Sequence, residues 1–244
     1  MFRSAAFVAL LLTACAGEST TPPLPEKVVD VVKPVEAVKV ATPPAKANSK
    51  VWTLPSGHHP ALLDPKLASE TAPDVFKVRF ETTKGSFVVE AHKEWAPVGV
   101  DRFYNMVKIG YFNDVKFFRA VDGFMVQFGI SGYPAVNKVW QESRLQDDPP
   151  KQGNDQGYIT FAQCGAPNCR STQLFVNYKN NSFLDGKFPA FGKVVEGMDV
   201  VDSLYKGYGE TPSGAQGKIQ EYGNAFLEQE FPNLDSIKSA SIVE

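Results

Sequence analysis

The stretch Val115 to Ile130, VKFFRAVDGFMVQFGI, carries two residues that a plain apolar core does not hold, Arg119 and Gln127. An arginine offers five donors and no acceptor and is rarely buried without partners. A buried amide left unpaired costs about 1–3 kcal/mol. The run must therefore have a wet face or present a site. Alternation on a strand places Phe117, Arg119 and Val121 on one side, and Met125 and Gln127 on one side against Phe124, Val126 and Phe128. A cation and an amide beside an aromatic and a thioether suit a cleft that grips something apolar and hydrogen-bonds it. Further on, Gly157 to Tyr178 alternates so that Gln173 and Phe175 face one way and Leu174 and Val176 the other. Other chemistry finds little footing. The three histidines, His58, His59 and His92, join no set with metal-ligand spacing, so neither a metal nor a cofactor is expected. No Ser–His or Cys–His candidate for a hydrolase lies inside the domain. Ser213 to Lys218 is no phosphate loop, since Pro212 stands where the first glycine belongs and no Ser or Thr follows the Lys.

Phe117-Phe118-Arg119 followed by Gly123-Phe124-Met125-Val126-Gln127 resembles the signature of the cyclophilin-type peptidyl-prolyl isomerases. Phe161-Ala162-Gln163-Cys164 and Thr172-Gln173-Leu174-Phe175 stand where that family has Met-Ala-Asn-Ala and Ser-Gln-Phe-Phe. Phe183-Leu184-Asp185-Gly186 stands where many members have Trp-Leu-Asp-Gly. The resemblance spans residue 74 to the end and implies a fold: all-β with two helices, a closed eight-stranded antiparallel barrel capped by a helix at each end. It also implies roles. Arg119 would be the catalytic donor. Phe124, Met125, Phe175, Phe183 and Leu184 would hold the proline ring, with Phe175 as the floor. Gln127, Ala162 and Gln163 would hydrogen-bond the client backbone, and Gln173 would line the groove. Phe188 occupies the place of the family's pocket histidine, which implies a more apolar pocket. The partners would be proline-containing polypeptides, met by a monomer. The alternative is a non-catalytic proline-peptide-binding module of the same fold.

The elements that must position these residues are partly readable. Phe76, Val78 and Phe80 alternate with Lys77, Arg79 and Glu81, a half-buried strand. Thr82 to Gly85 turns it into a second strand over 86–91. Pro97 suits a first helical turn, and Val100, Phe103, Tyr104 and Val107 follow a helical period that ends at Gly110. A second helix is expected over 198–206 and a closing strand over 237–243. Residues 130–157 give no clear period, and Asp147-Asp148-Pro149-Pro150 reads as a solvated loop.

The front of the chain reads as an address. Arg3, the apolar run Ala5 to Leu12 and the small residues after it suit a signal peptide too short to span a bilayer as a mature helix. Leu12-Thr13-Ala14-Cys15 resembles a bacterial lipobox, in which Cys15 is lipidated. An ordinary secretory signal that leaves Cys15 without a role is the alternative. The expected division is a signal peptide over 1–14, a lipidated Cys and Pro-rich tether over 15–73, and the isomerase-like domain over 74–244. Ala16 after the Cys implies the outer membrane, facing the periplasm. The tether would hold the domain about 40 Å from the membrane as a coil. Its later part, with Trp52, Leu54, Leu62 and Leu63, either packs on the domain or stays in the tether. Cys164 and Cys169 either pair or remain two free thiols, and their Cα separation decides. The formal net charge of −2 over 244 residues argues against nucleic acid as a partner.

Overall fold

Alternation along β1 (Val75–Thr82) turns Phe76, Val78, Phe80 and Thr82 inward, and β2 (Ser86–His92) returns antiparallel to it. The computed structural model describes residues 52–243. The further strands are β3 (Arg119–Val121), β4 (Met125–Phe128), β5 (Tyr158–Phe161), β6 (Leu174–Asn177), β7 (Ala190–Glu196) and β8 (Ile237–Val243). All eight form one curled antiparallel sheet in the order β3-β4-β6-β5-β7-β2-β1-β8. The expected closed barrel is not seen as an unbroken ring of ladders. β3 and β8 are the two edges, and the chain before β3 meets the start of β8 through the Lys116–Ser236 bridge and the bonds from Phe117 N–H to Asp235 O (3.0 Å), Ile237 N–H to Val115 O (2.8 Å) and Asp114 N–H to Ile237 O (3.0 Å). The physical reason is length: β3 holds three residues, so the chain leading into it, not β3 itself, meets the start of β8, and a 3-10 turn at Thr211–Ala215 lies near β3.

Inside the curl, Phe80 meets Phe87, Phe103, Phe112 and Phe128 at ring-centroid distances of 4.9, 6.1, 5.5 and 6.2 Å. Each such ring taken out of water contributes about 1.5–3 kcal/mol. The helix α1 (Pro97–Lys108) buries Val100, Phe103, Met106 and Val107 against this interior. It ends as the sequence demands: Gly110 takes φ +73, its N–H reaches Val107 O at 3.1 Å, and Tyr111 N–H reaches Met106 O at 2.9 Å. That is a Schellman closure, which a Cβ at Gly110 would oppose.

The second expected helix is present as α3 (Met198–Asp202), shorter than its period implied. Three more short helices accompany it. α2 (Pro134–Trp140) lies in the stretch that gave no clear period, and its Trp140 is fully buried. The Trp140 indole N–H points at the carbonyls of Ala61 (3.2 Å) and Leu62 (3.1 Å), so residues 52–73 lie against the domain. α4 (Gln216–Tyr222) and α5 (Asn224–Glu230) build a small core of their own: Ile219, Phe226, Leu227 and Phe231 pack with Phe118 and Ile130 from the sheet side.

Asp147 and Asp148 are not a solvated pair. The Asp148 carboxylate is buried and accepts the N–H groups of Val98 (2.9 Å) and Gly99 (2.8 Å) at the start of α1, which has no side-chain cap of its own. It also accepts from the fully buried Arg170 guanidinium at 3.1 Å. Asp147 meets the same guanidinium at 3.3 Å, and Arg170 donates to Gln146 O as well.

Candidate active site

Strand register assembles the site. Arg119 on β3 is paired with Gln127 on β4, and Gln127 with Phe175 on β6. Directly opposed residues point to the same face, so a cation, an amide and an aromatic stand in one row outside the main core. Gln173 lies one step before β6 on the same face as Phe175. Gly129, which ends β4 with φ +103, lets the two chains meet: a Cβ there would stand 2.3 Å from Thr172 O and 2.9 Å from the Gln173 Cα. Gly129→Ala is expected to cost about 1–3 kcal/mol by overpacking and to lower client affinity by displacing Gln173. A thermal melt and a peptide titration check both, and an unchanged melt and affinity would refute it.

The polar groups form a chain. Arg119 Nη1 donates to Gln127 Oε1 at 2.9 Å, and Gln127 Nε2 donates to Gln173 Oε1 at 2.7 Å. The Gln127 amide thus bonds Arg119 through its oxygen and Gln173 through its nitrogen. Gln163 also turns inward on the protein, its Nε2 donating to Lys187 O at 2.7 Å. Ala162 N–H is taken by Gln173 O at 2.9 Å.

Beside the row lies a cavity of about 350 Å³ lined by Arg119, Phe124, Met125, Gln127, Ala162, Gln163, Gln173, Phe175, Leu184 and Phe188, with Cys164, Cys169, Ser171 and Gln216 at its border. Met125, Phe175 and Leu184 form its buried floor, and Phe188 stands edge-on to Phe175 with centroids 5.7 Å apart. Phe183 does not line it. It is 65% exposed and packs outside Phe124, centroids 5.7 Å apart. Two single-step alternation readings also fail. Phe117 lies in the main core with Phe128 while Arg119 faces out, because regular pairing begins only at residue 119. Phe124 joins the groove because it stands in the turn before β4, its N–H bonded to Val121 O at 3.0 Å. Asn181 and Asn154 fix the walls from behind, donating to Phe124 O (2.9 Å) and Phe188 O (3.1 Å).

Sequence reasoning missed Glu210. It stands at the head of the 211–215 turn and accepts from Arg119 Nε at 2.7 Å and Nη2 at 2.6 Å, a bidentate pair. The hydrogen bonds from Arg119 hold its carboxyl below the usual carboxylate range, so the pair stays ionised at neutral pH. Arg119 also lies over the Phe124 ring, 5.8 Å from its centroid.

Cys164 and Cys169 form a disulfide with Cα atoms 5.9 Å apart. Closing so short a loop stabilises by about 2 kcal/mol in the chain-entropy picture. Reduction of the chain is expected to add the mass of two hydrogens and to lower the denaturation midpoint accordingly; no mass change would refute the bridge. Cys15 lies outside the described residues. Among those described, no group of three or more His, Cys, Asp or Glu is placed to hold a metal ion.

An arginine, two amides and an aromatic floor thus line a cavity on the outer face of a curled antiparallel sheet. Comparison with known proteins supplies the class. Residues 77–224 match the model of the family described as cyclophilin type peptidyl-prolyl cis-trans isomerase. The chain is 33% identical over 130 residues to the peptidyl-prolyl cis-trans isomerase-like 1 of Aspergillus fumigatus, covering 52% of this chain and 80% of that one. It is 30% identical over 145 residues to peptidyl-prolyl cis-trans isomerase B of Escherichia coli, covering 56% and 88%. In fold it is similar to a crystal structure of a Cryptosporidium parvum cyclophilin type peptidyl-prolyl cis-trans isomerase, with a TM-score of 0.53, 20% identity, and coverage of 70% of this chain and 98% of that one. The chain belongs to the cyclophilin-type peptidyl-prolyl cis-trans isomerases and is an enzyme of that kind.

Proposed function

We propose that this isomerase turns X–Pro bonds of exported proteins by aiming Arg119 at the prolyl nitrogen of a client seated on Phe175. The barrier to that rotation is about 18–20 kcal/mol because amide resonance must be lost. No bond is made or broken, so neither nucleophile nor general base is required. As the bond twists, the prolyl nitrogen becomes pyramidal and gains a lone pair. A donor directed there stabilises the twisted state more than either planar one, which is the condition for acceleration. The row Arg119–Gln127–Phe175 carries this reading: it sets an N–H donor beside an apolar floor. The Ala162 carbonyl and the Gln163 side-chain oxygen are the groups we assign to the client backbone. The test is proline-limited refolding of a model protein with wild type and Arg119→Ala; equal acceleration by both would end the assignment.

The reading extends to place. The lipobox-like sequence at Cys15 supports a lipid-anchored monomer at the outer membrane, facing the periplasm and handling clients as they fold. A Cys15→Ser chain that still fractionates with membranes would overturn that part.

A further inference from the structure

The guanidinium of Arg119 has five N–H donors. Two are taken by Glu210 and one by Gln127, which leaves one N–H on each terminal nitrogen. A carboxylate on one side and an amide on another fix the plane of the group and its rotation, so the two remaining N–H bonds have a set direction. We infer that Glu210 is a positioning residue for the isomerisation, holding Arg119 in the orientation in which its free donors face the groove.

Three observations carry this. Glu210 is 54% exposed on its side chain, and ion pairs so exposed add little to stability, so its effect is on where Arg119 points. Glu210 is itself braced: the single Ser213 O–H is shared between its carbonyl (2.7 Å) and its carboxylate (3.2 Å), and the turn that carries both buries Pro212 and Ala215. Behind the turn, α4 and α5 contribute Ile219, Phe226 and Leu227 to a separate apolar cluster that includes Phe118, the residue next to Arg119 in the chain. The C-terminal helices thus act as a buttress for one carboxylate.

The inference rests on Arg119 being the donor, and the experiment separates the two. The full chain and its Glu210→Ala, Glu210→Gln, Glu210→Asp and Arg119→Ala variants are assayed on the relaxation of an Ala-Pro tetrapeptide, with kcat and KM resolved and melting curves as a folding control. Glu210→Ala and Glu210→Gln are expected to lose about tenfold in kcat, with KM within about twofold, because orientation and not binding is impaired. Glu210→Asp, which keeps the charge, is expected to recover most of the loss. If the Ala variant does not fold, the isosteric Gln variant carries the test. Activity of both within twofold of wild type, alongside an inactive Arg119→Ala, overturns the positioning role and leaves the donor reading standing. A faster Glu210→Gln overturns it too, because the carboxylate would then restrain the site. An Arg119→Ala variant as active as wild type removes the donor reading itself.

Discussion

Arg119→Ala is expected to lower kcat/KM by about 10²–10³-fold, the usual cost of removing one donor aimed at a developing lone pair. The loss should fall on kcat. The floor of Met125, Phe175 and Leu184 is untouched by the change, so the apolar part of client binding persists. Arg119→Lys should rescue poorly. A lysine ammonium cannot reproduce the bidentate contact with Glu210 and the bond to Gln127 at once. The variant should remain folded, since Arg119 lies outside the main core and its ion pair is partly exposed. Single-turnover relaxation of an Ala-Pro peptide reads the effect. A drop of less than about threefold would mean that the twisted state is stabilised elsewhere.

Asp148→Ala is expected to destabilise the fold by about 3–5 kcal/mol, because it removes the buried counter-ion of a fully buried guanidinium and leaves it only the more exposed Asp147 and the Gln146 carbonyl. The same change removes the acceptor for the first N–H groups of α1. Against a domain stability of about 5–15 kcal/mol, this is the largest single-site loss expected. Asp148→Asn keeps an acceptor but not the charge and should fall between wild type and Ala. Urea midpoints at constant slope measure both, and an Ala variant within 1 kcal/mol of wild type would sink the argument. Arg170 follows Cys169 directly, so its anchorage also steadies the loop at the border of the groove, and client affinity should decline with stability.

These two predictions also mark what could be read along the chain. Arg119, Gln127 and Phe175 were legible because strand alternation is a local rule, and a short turn places β3 beside β4. The first hairpin and α1 were legible for the same reason, as periods in a single segment. Asp148 was misread because its partners, Gly99 and Arg170, lie far from it in sequence and nothing local announces them. Glu210 meets Arg119 across 91 residues. The one signal was on the arginine's side: a partly buried guanidinium must find acceptors, without any indication of which. The intramolecular partners of Gln127 and Gln163 could not be read from the chain, since a side chain's partner depends on its neighbours across the sheet. α2, α4 and α5 were overlooked because seven residues each give too little of a helical period to register.

The turn at 211–215 lies against β3, the edge strand that carries Arg119. An uncovered strand edge is a template to which any extended chain can add by backbone hydrogen bonding, and such additions end in aggregates. The contact of that turn with β3 leaves this flank of the sheet less open to such addition.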